Sequence, residues 1–108
     1  MKRIMLACSA GMSTSLLVNK MKEAAAADGI EAEIEAFSSS EAEQKLESEH
    51  VDVLLLGPQV RFMQKQFEDL LEGKNTPVAV IDMADYGMMN GENVLKEALN
   101  LIDQAEGK

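Results

Sequence analysis

Cysteine is nearly absent from this chain. Of 108 residues only Cys8 carries a thiol, so no framework of intrachain disulfides can form. With no basic-then-apolar leader either, the sequence points to the reducing cytosol, where a thiol persists and can react. Histidine is equally scarce. His50 is the single one, placed before a strand in an acidic turn, so no set of side chains has metal-ligand spacing and His50 is expected to be a solvated loop residue. Basic residues are outnumbered 19 to 10, a net charge of −9, and no basic patch is interleaved with aromatics, which argues against a nucleic-acid backbone as partner. Long apolar runs are missing too. The longest, Val53-Leu54-Leu55-Leu56, stops at Gly57, far short of the roughly 20 residues that span a bilayer. Any role at a membrane is therefore peripheral.

What is present, a 46% hydrophobic composition in this length, suits one compact domain over residues 1–108. Apolar and amphipathic segments alternate along it. Lys2 to Ala7 reads as a strand, and Ser13 to Ala27 as a helix with Leu16, Leu17, Met21 and Ala24 on one face, stopped by Asp28-Gly29. Ile30 to Phe37 alternates with period two, the pattern of a half-exposed edge strand. Ser38-Ser39-Ser40 before Glu41 and Glu43 is a capped helix start, and Glu41, Glu43, Glu47 and Glu49 form its solvated face. Val51 to Leu56 is apolar almost throughout and should be central. Gly57-Pro58 turns it into a helix reaching Glu72 through Val60, Met63, Phe67, Leu70 and Leu71. Pro77 to Ile81 is a fourth strand, and Asn90-Gly91-Glu92 opens a last helix that faces inward through Val94, Leu95, Ala98, Leu99 and Ile102. Four strands each followed by a helix give an α/β fold, a parallel sheet with helices on both faces.

In such sheets ligands bind beyond the carboxyl ends of the strands. Cys8 stands at that end of the first strand, Gly57-Pro58-Gln59 at that end of the third, and Asp82 to Gly87 at that end of the fourth. The three loops should form one rim. After Cys8 come Ser9-Ala10-Gly11-Met12-Ser13-Thr14-Ser15, small and hydroxyl residues that lead into a helix. A strand that passes through such a loop into a helix leaves backbone N–H groups for an anion to collect, and the same field favours thiolate over thiol. An activated nucleophile and a phosphate cradle thus share one short stretch.

Cys8 to Val18 (Cys-Ser-Ala-Gly-Met-Ser-Thr-Ser-Leu-Leu-Val), with Leu55-Leu56-Gly57-Pro58-Gln59 and with Val80-Ile81-Asp82 and Tyr86-Gly87, closely resembles the IIB proteins of the lactose, cellobiose and diacetylchitobiose class of the bacterial sugar phosphotransferase system. The match runs in order over nearly the whole chain. The resemblance implies a four-stranded parallel sheet in the order 2-1-3-4. It also implies a cysteine that takes a phosphoryl group from a histidine of the IIA protein and hands it to a sugar held by the membrane transporter IIC. By position Cys8 is then the phosphocysteine, and Ser9, Ala10, Gly11, Met12, Ser13, Thr14 and Ser15 are its cradle. Fixed amides around the transferring oxygens serve in-line displacement without a metal or other cofactor. Such a carrier would work as a monomer in the cytoplasm, transiently at the inner face of the membrane.

Low-molecular-weight tyrosine phosphatases share this kind of fold and place a cysteine after the first strand, in a Cys-x5-Arg loop. Here Thr14 stands at the arginine position, and loss of a bidentate guanidinium removes on the order of several kcal/mol of transition-state stabilisation. Asp82 and Asp85 are the candidates for the acid that such a hydrolase needs. A thiol redox module would require a resolving cysteine, and the chain has none. For docking partners the candidates are Met12, Gln59, Arg61, Met63 and Tyr86, with Met88 and Met89 extending an adaptable apolar rim. Several of these keep two roles at the level of sequence. Met63 suits rim or core, Arg61 a phosphoryl or acidic-partner contact or a solvated surface, and Tyr86 a hydroxyl donor or a packing ring. Ser9, Ser13, Thr14 and Ser15 suit hydroxyl donation or helix capping.

Overall fold

Four strands, β1 (Lys2–Cys8), β2 (Ala32–Ser38), β3 (Val53–Leu56) and β4 (Val78–Val80), pair in parallel in the order β2-β1-β3-β4. The structure is a computed structural model that describes residues 2–9 and 12–106, with the backbone alone for Met12 and Ser13. Helices α1 (Met12–Ala27), α2 (Ser39–Ser48), α3 (Gln64–Leu70), α4 (Met83–Gly87) and α5 (Gly91–Ala105) connect and follow the strands. Among the described residues no helix is long and apolar enough to cross a membrane.

Successive residues of a strand point to opposite faces, and the two faces here have separate cores. Ile4 and Leu6 of β1, Ile34 of β2 and Val53 and Leu55 of β3 pack with Leu17, Val18, Met21 and Ala25 of α1 and Val94, Leu95, Ala98 and Ile102 of α5. Met5, Ala7, Leu54 and Leu56 face the other way, against Ala42 and Leu46 of α2 and Phe67 of α3. Burial on both faces is why Ile4 to Cys8 of β1 and Val53 to Leu56 of β3 read as unbroken apolar runs, while the edge strand β2 alternates. The chain leaves β1 for β2 through α1 and comes back past β1 to β3 through α2. Its direction of travel reverses between β1 and β3, and the carboxyl ends of these two strands mark the switch point.

Local signals set most boundaries. Ser38 and Glu41 form the capping box of α2, and Gly29, at φ 68°, ends α1 with the Ile30 amide bonded back to the Ala25 carbonyl at 2.8 Å. Asn90 caps α5 through the Asn93 amide. Three expectations need correction. Leu16 is exposed, because the buried arc of α1 is centred on Thr14, Leu17, Val18 and Met21, and at about 100° per residue Leu16 falls on nearly the opposite side of the helix. The helix after β3 is broken: Pro58–Met63 is a 3-10 helix, and Val60, at φ −117° and ψ 24°, leaves helical geometry while its side chain sits in the α2–α3 core. The stretch Asp82 to Gly87, expected as loop, contains α4, whose amide ends are capped by the Asp82 carboxylate.

One glycine is fixed by close approach. A Cβ on Gly91 would lie 2.5 to 2.6 Å from the Lys20 and Met21 region of α1, so only glycine lets the start of α5 pack there.

Candidate functional site

Cys8 is the last residue of β1, opposite Ser38 of β2, and it is buried. Its Sγ lies 3.0 Å from Oγ1 of Thr14, which reaches back from the first turn of α1 and is itself fully buried. A hydroxyl at this distance can donate to the sulfur, and donation to a charged acceptor stabilises that form. Thr14 therefore touches the sulfur from the position at which the phosphatase loop carries arginine.

The strand ends are stitched together beside it. The Gly57 amide donates to the Ala7 carbonyl at 2.8 Å, and the Ile81 amide to the Leu56 carbonyl at 2.8 Å, so the segments leaving β1, β3 and β4 meet as one rim. Gly57 is buried, and a Cβ on it would sit 3.3 Å from Cys8 Cβ and 2.8 Å from Gln59 Oε1. The Gln59 carboxamide thus folds back over Gly57, whose open Cα face also borders Cys8. Its Nε2 donates to the Tyr86 hydroxyl at 3.1 Å, and the Tyr86 ring packs on the α1–α5 core. Gln59 and Tyr86 bridge the β3 and β4 segments of the rim.

The two aspartates of this rim are engaged elsewhere. Asp82 caps α4 by accepting from the Ala84 and Asp85 amides, and Asp85 accepts from Asn93 Nδ2 at 2.7 Å. Among the described residues no group of three or more histidine, cysteine and acidic side chains could hold a metal ion.

The remaining candidates sort as follows. Ser9 and Ser15 are exposed near the thiol, Met12 and Ser13 lie in the first turn of α1, and Ala10 and Gly11 fall outside the described residues. Arg61 is exposed in the 3-10 helix and forms no ion pair among the described residues. Met63 and Met89 are half-buried against the two cores, which favours packing for both. Met88 stands out at 77% exposure, joined by Phe62 at 79%, Met83 at 63% and Leu16 at 60%. Sequence reading had missed Phe62 and Met83 as rim residues and had placed Leu16 in the core. Each of the four lies on the segment that leaves β1, β3 or β4, so the exposed large apolar side chains gather on the functional end.

The strongest charge perturbation lies at the opposite end of the sheet. Arg3 Nη2 meets Glu49 at 2.8 Å, Nε meets Glu33 at 3.0 Å and Nη1 donates to the His50 carbonyl at 2.7 Å. Hydrogen bonding to Arg3 holds the Glu49 carboxyl below its usual value, and the bond to Glu49 raises Arg3. Glu49, expected on a solvated face, is thus part of this network. His50 is exposed, as its acidic turn suggested, with Nε2 3.7 Å from Asp52.

Comparison with known proteins adds a family. A family model described as PTS system, Lactose/Cellobiose specific IIB subunit, matches residues 3–97. A galactose-specific EIIB component from Lactococcus lactis subsp. cremoris is 50% identical over 94% of this chain and 97% of its own length. An oligo-beta-mannoside-specific EIIB component from Bacillus subtilis is 45% identical over the same shares. Among solved structures, a cellobiose-specific phosphotransferase IIB component from Borrelia burgdorferi superposes with TM-score 0.77 at 39% identity, over 96% of this chain and 94% of that one. A lactose-specific IIB domain from Streptococcus pneumoniae shares the fold alone, with TM-score 0.80 at 15% identity over 92% and 95%.

Proposed function

The chain belongs to the lactose/cellobiose-specific IIB family of the sugar phosphotransferase system, and from that premise we propose that it carries a phosphoryl group on the sulfur of Cys8. The observation that carries this reading is the buried Cys8–Thr14 contact at the carboxyl end of β1, on the switch point of the sheet.

In the first step the Cys8 thiolate attacks phosphorus of a phosphohistidine on the IIA partner. The S–P bond forms and the N–P bond breaks. The imidazole leaves with that electron pair, and a proton on its other ring nitrogen makes it neutral. Backbone amides of Ser9 to Ser15 and the Thr14 hydroxyl hold the charge that gathers on the three oxygens. In the second step a sugar hydroxyl held by the IIC transporter attacks the same phosphorus, its proton passes to a general base of that partner, and the thiolate leaves. The net reaction is transfer from a phosphohistidine to a sugar. No metal or other cofactor takes part. The sugar is a β-linked disaccharide of the cellobiose, chitobiose or lactose type, and its identity is set where the transporter grips it.

A hydrolase would need an anion clamp and an acid. Thr14 occupies the clamp position, and Asp82 and Asp85 are bound to backbone and to Asn93, which supports a carrier that keeps its thiophosphate until the acceptor arrives. Residues 1–108 act as one IIB domain, a cytoplasmic monomer that meets IIA and IIC in turn. Leu16, Phe62, Met83 and Met88, with Gln59 and Arg61, supply the docking surface, an apolar rim around a polar centre.

Intact mass tests the reading. After incubation with phosphoenolpyruvate, the general phosphotransferase proteins and a matching IIA, the wild type gains one phosphoryl group and the Cys8→Ser variant gains none. Normal sugar uptake by Cys8→Ser cells would sink the mechanism, and turnover of an aryl phosphate without any mass gain would point to a hydrolase.

A further inference from the structure

We propose that Gln59 is a second phosphoryl-binding group of this site, with Tyr86 as the residue that positions it. The inference rests on Cys8 being the phosphoryl carrier and assigns a part of the site that lies 51 residues away in sequence. Thr14 meets the Cys8 sulfur from α1, and on the β3 side the Gln59 carboxamide oxygen lies 2.8 Å from the point at which a Cβ on Gly57 would stand, a point itself 3.3 Å from Cys8 Cβ. That space is open because residue 57 is glycine.

Nε2 of the carboxamide donates to the Tyr86 hydroxyl at 3.1 Å, and the residue is exposed. Tyr86 is anchored by its ring on the α1–α5 core, so its hydroxyl is a fixed point from which Gln59 can exchange one acceptor for another. When the phosphoryl group arrives, the carboxamide N–H turns to one of its oxygens. The chemistry requires a neutral donor. A cation there would stabilise the five-coordinate state for any nucleophile, water included, whereas an amide contributes orientation and a share of the charge. No bond is made to Gln59, so the balance of the transfer steps is unchanged.

The test measures the rate of phosphoryl transfer from phosphorylated IIA to Cys8 by rapid quench, over a range of IIA concentrations. Gln59→Ala lowers the maximal rate by about 10- to 100-fold, the range for a hydrogen bond to a charged group, with a smaller change in the concentration at half-maximal rate. Gln59→Glu is slower still near neutral pH because its carboxylate opposes the phosphoryl oxygens. It recovers toward the alanine rate as pH falls toward the carboxyl range near about 4.3. A purely structural role would give no such recovery. Tyr86→Phe keeps the ring and loses the fixed point, so the maximal rate falls severalfold at unchanged melting temperature. Equal maximal rates for wild type, Gln59→Ala and Gln59→Glu at every pH, with Cys8 fully labelled, would overturn the role of Gln59 and leave the carrier intact. A wild type that takes no label on Cys8 would overturn both.

Discussion

At the amino end of the sheet Arg3 gathers Glu33 from β2 and Glu49 and His50 from the α2–β3 connection, while its own amide donates to Asp52 at 2.8 Å. At the carboxyl end Cys8, Thr14, Gln59 and Tyr86 meet through neutral groups. The first end is held by charge at the surface, and at the second the Cys8–Thr14 pair is buried while Gln59 is exposed. Arg3 and Glu33 are also register partners, so their pairing fixes β1 against β2, and the same register sets Cys8 opposite Ser38. A slip by one residue would turn every side chain of β1 to the other face. The amino end can therefore hold register at a distance from the thiol.

The largest expected effect separates chemistry from stability at the carboxyl end. Thr14→Val keeps the buried volume and removes the hydroxyl. Transfer from IIA should drop by about 10- to 100-fold, the loss of one hydrogen bond to a charged group, while unfolding free energy changes by about 1 kcal/mol or less. A drop in stability with transfer untouched would reverse the comparison and make Thr14 a core residue. Next comes Gly57→Ala. The added methyl would stand 2.8 Å from Gln59 Oε1 and 3.3 Å from Cys8 Cβ, and the flexible carboxamide is what gives way. A loss of about tenfold in transfer is expected, with the fold intact by circular dichroism. Full activity would show that the seating of Gln59 does not matter.

The legibility of these two ends in the sequence differs for the same physical reason. The β1–loop–α1 passage is contiguous, and its signals are local: an apolar run, a small-residue loop, then helical periodicity. The Ser38–Glu41 box and the Gly29 stop are equally local. Gln59 and Tyr86 are 27 residues apart, and nothing between them announces that a carboxamide folds back over Gly57 to meet a phenol. Arg3 and Glu49 are 46 apart, so Glu49 read as one more charge on a solvated helix. Leu16 and Leu17 are both leucine, and only the rotation of α1 on the sheet decides which is buried. Helix α4 is too short for a period to show, and its one signal was Asp82, a cap that had been weighed only as a candidate acid.

Arg3→Ala attacks the amino end alone. It should cost about 1 to 2 kcal/mol of stability, discounted for the solvent that reaches a side chain 31% exposed, and leave the rate of transfer per folded molecule unchanged. A changed rate would mean that register at one end is felt at the other.

The smallest effect is the pH dependence of that network. Arg3 is raised and stays charged, so Glu49 is the group that titrates. Its carboxyl is held below the ordinary 4.5 by Arg3 first and by the charge of Lys45 second, which means that the unfolded chain binds its proton more readily than the folded one. Stability from this pair is therefore complete above pH 4.5 and is lost as pH falls through the lower value of the folded state. Urea melts of wild type and Glu49→Gln should differ at neutral pH and converge in acid, since protonated Glu49 and glutamine are both neutral. A gap that persists unchanged below the carboxylate range would show that Glu49 holds Arg3 by shape and packing, and the contrast between a charged end and a neutral end would lose its electrostatic basis.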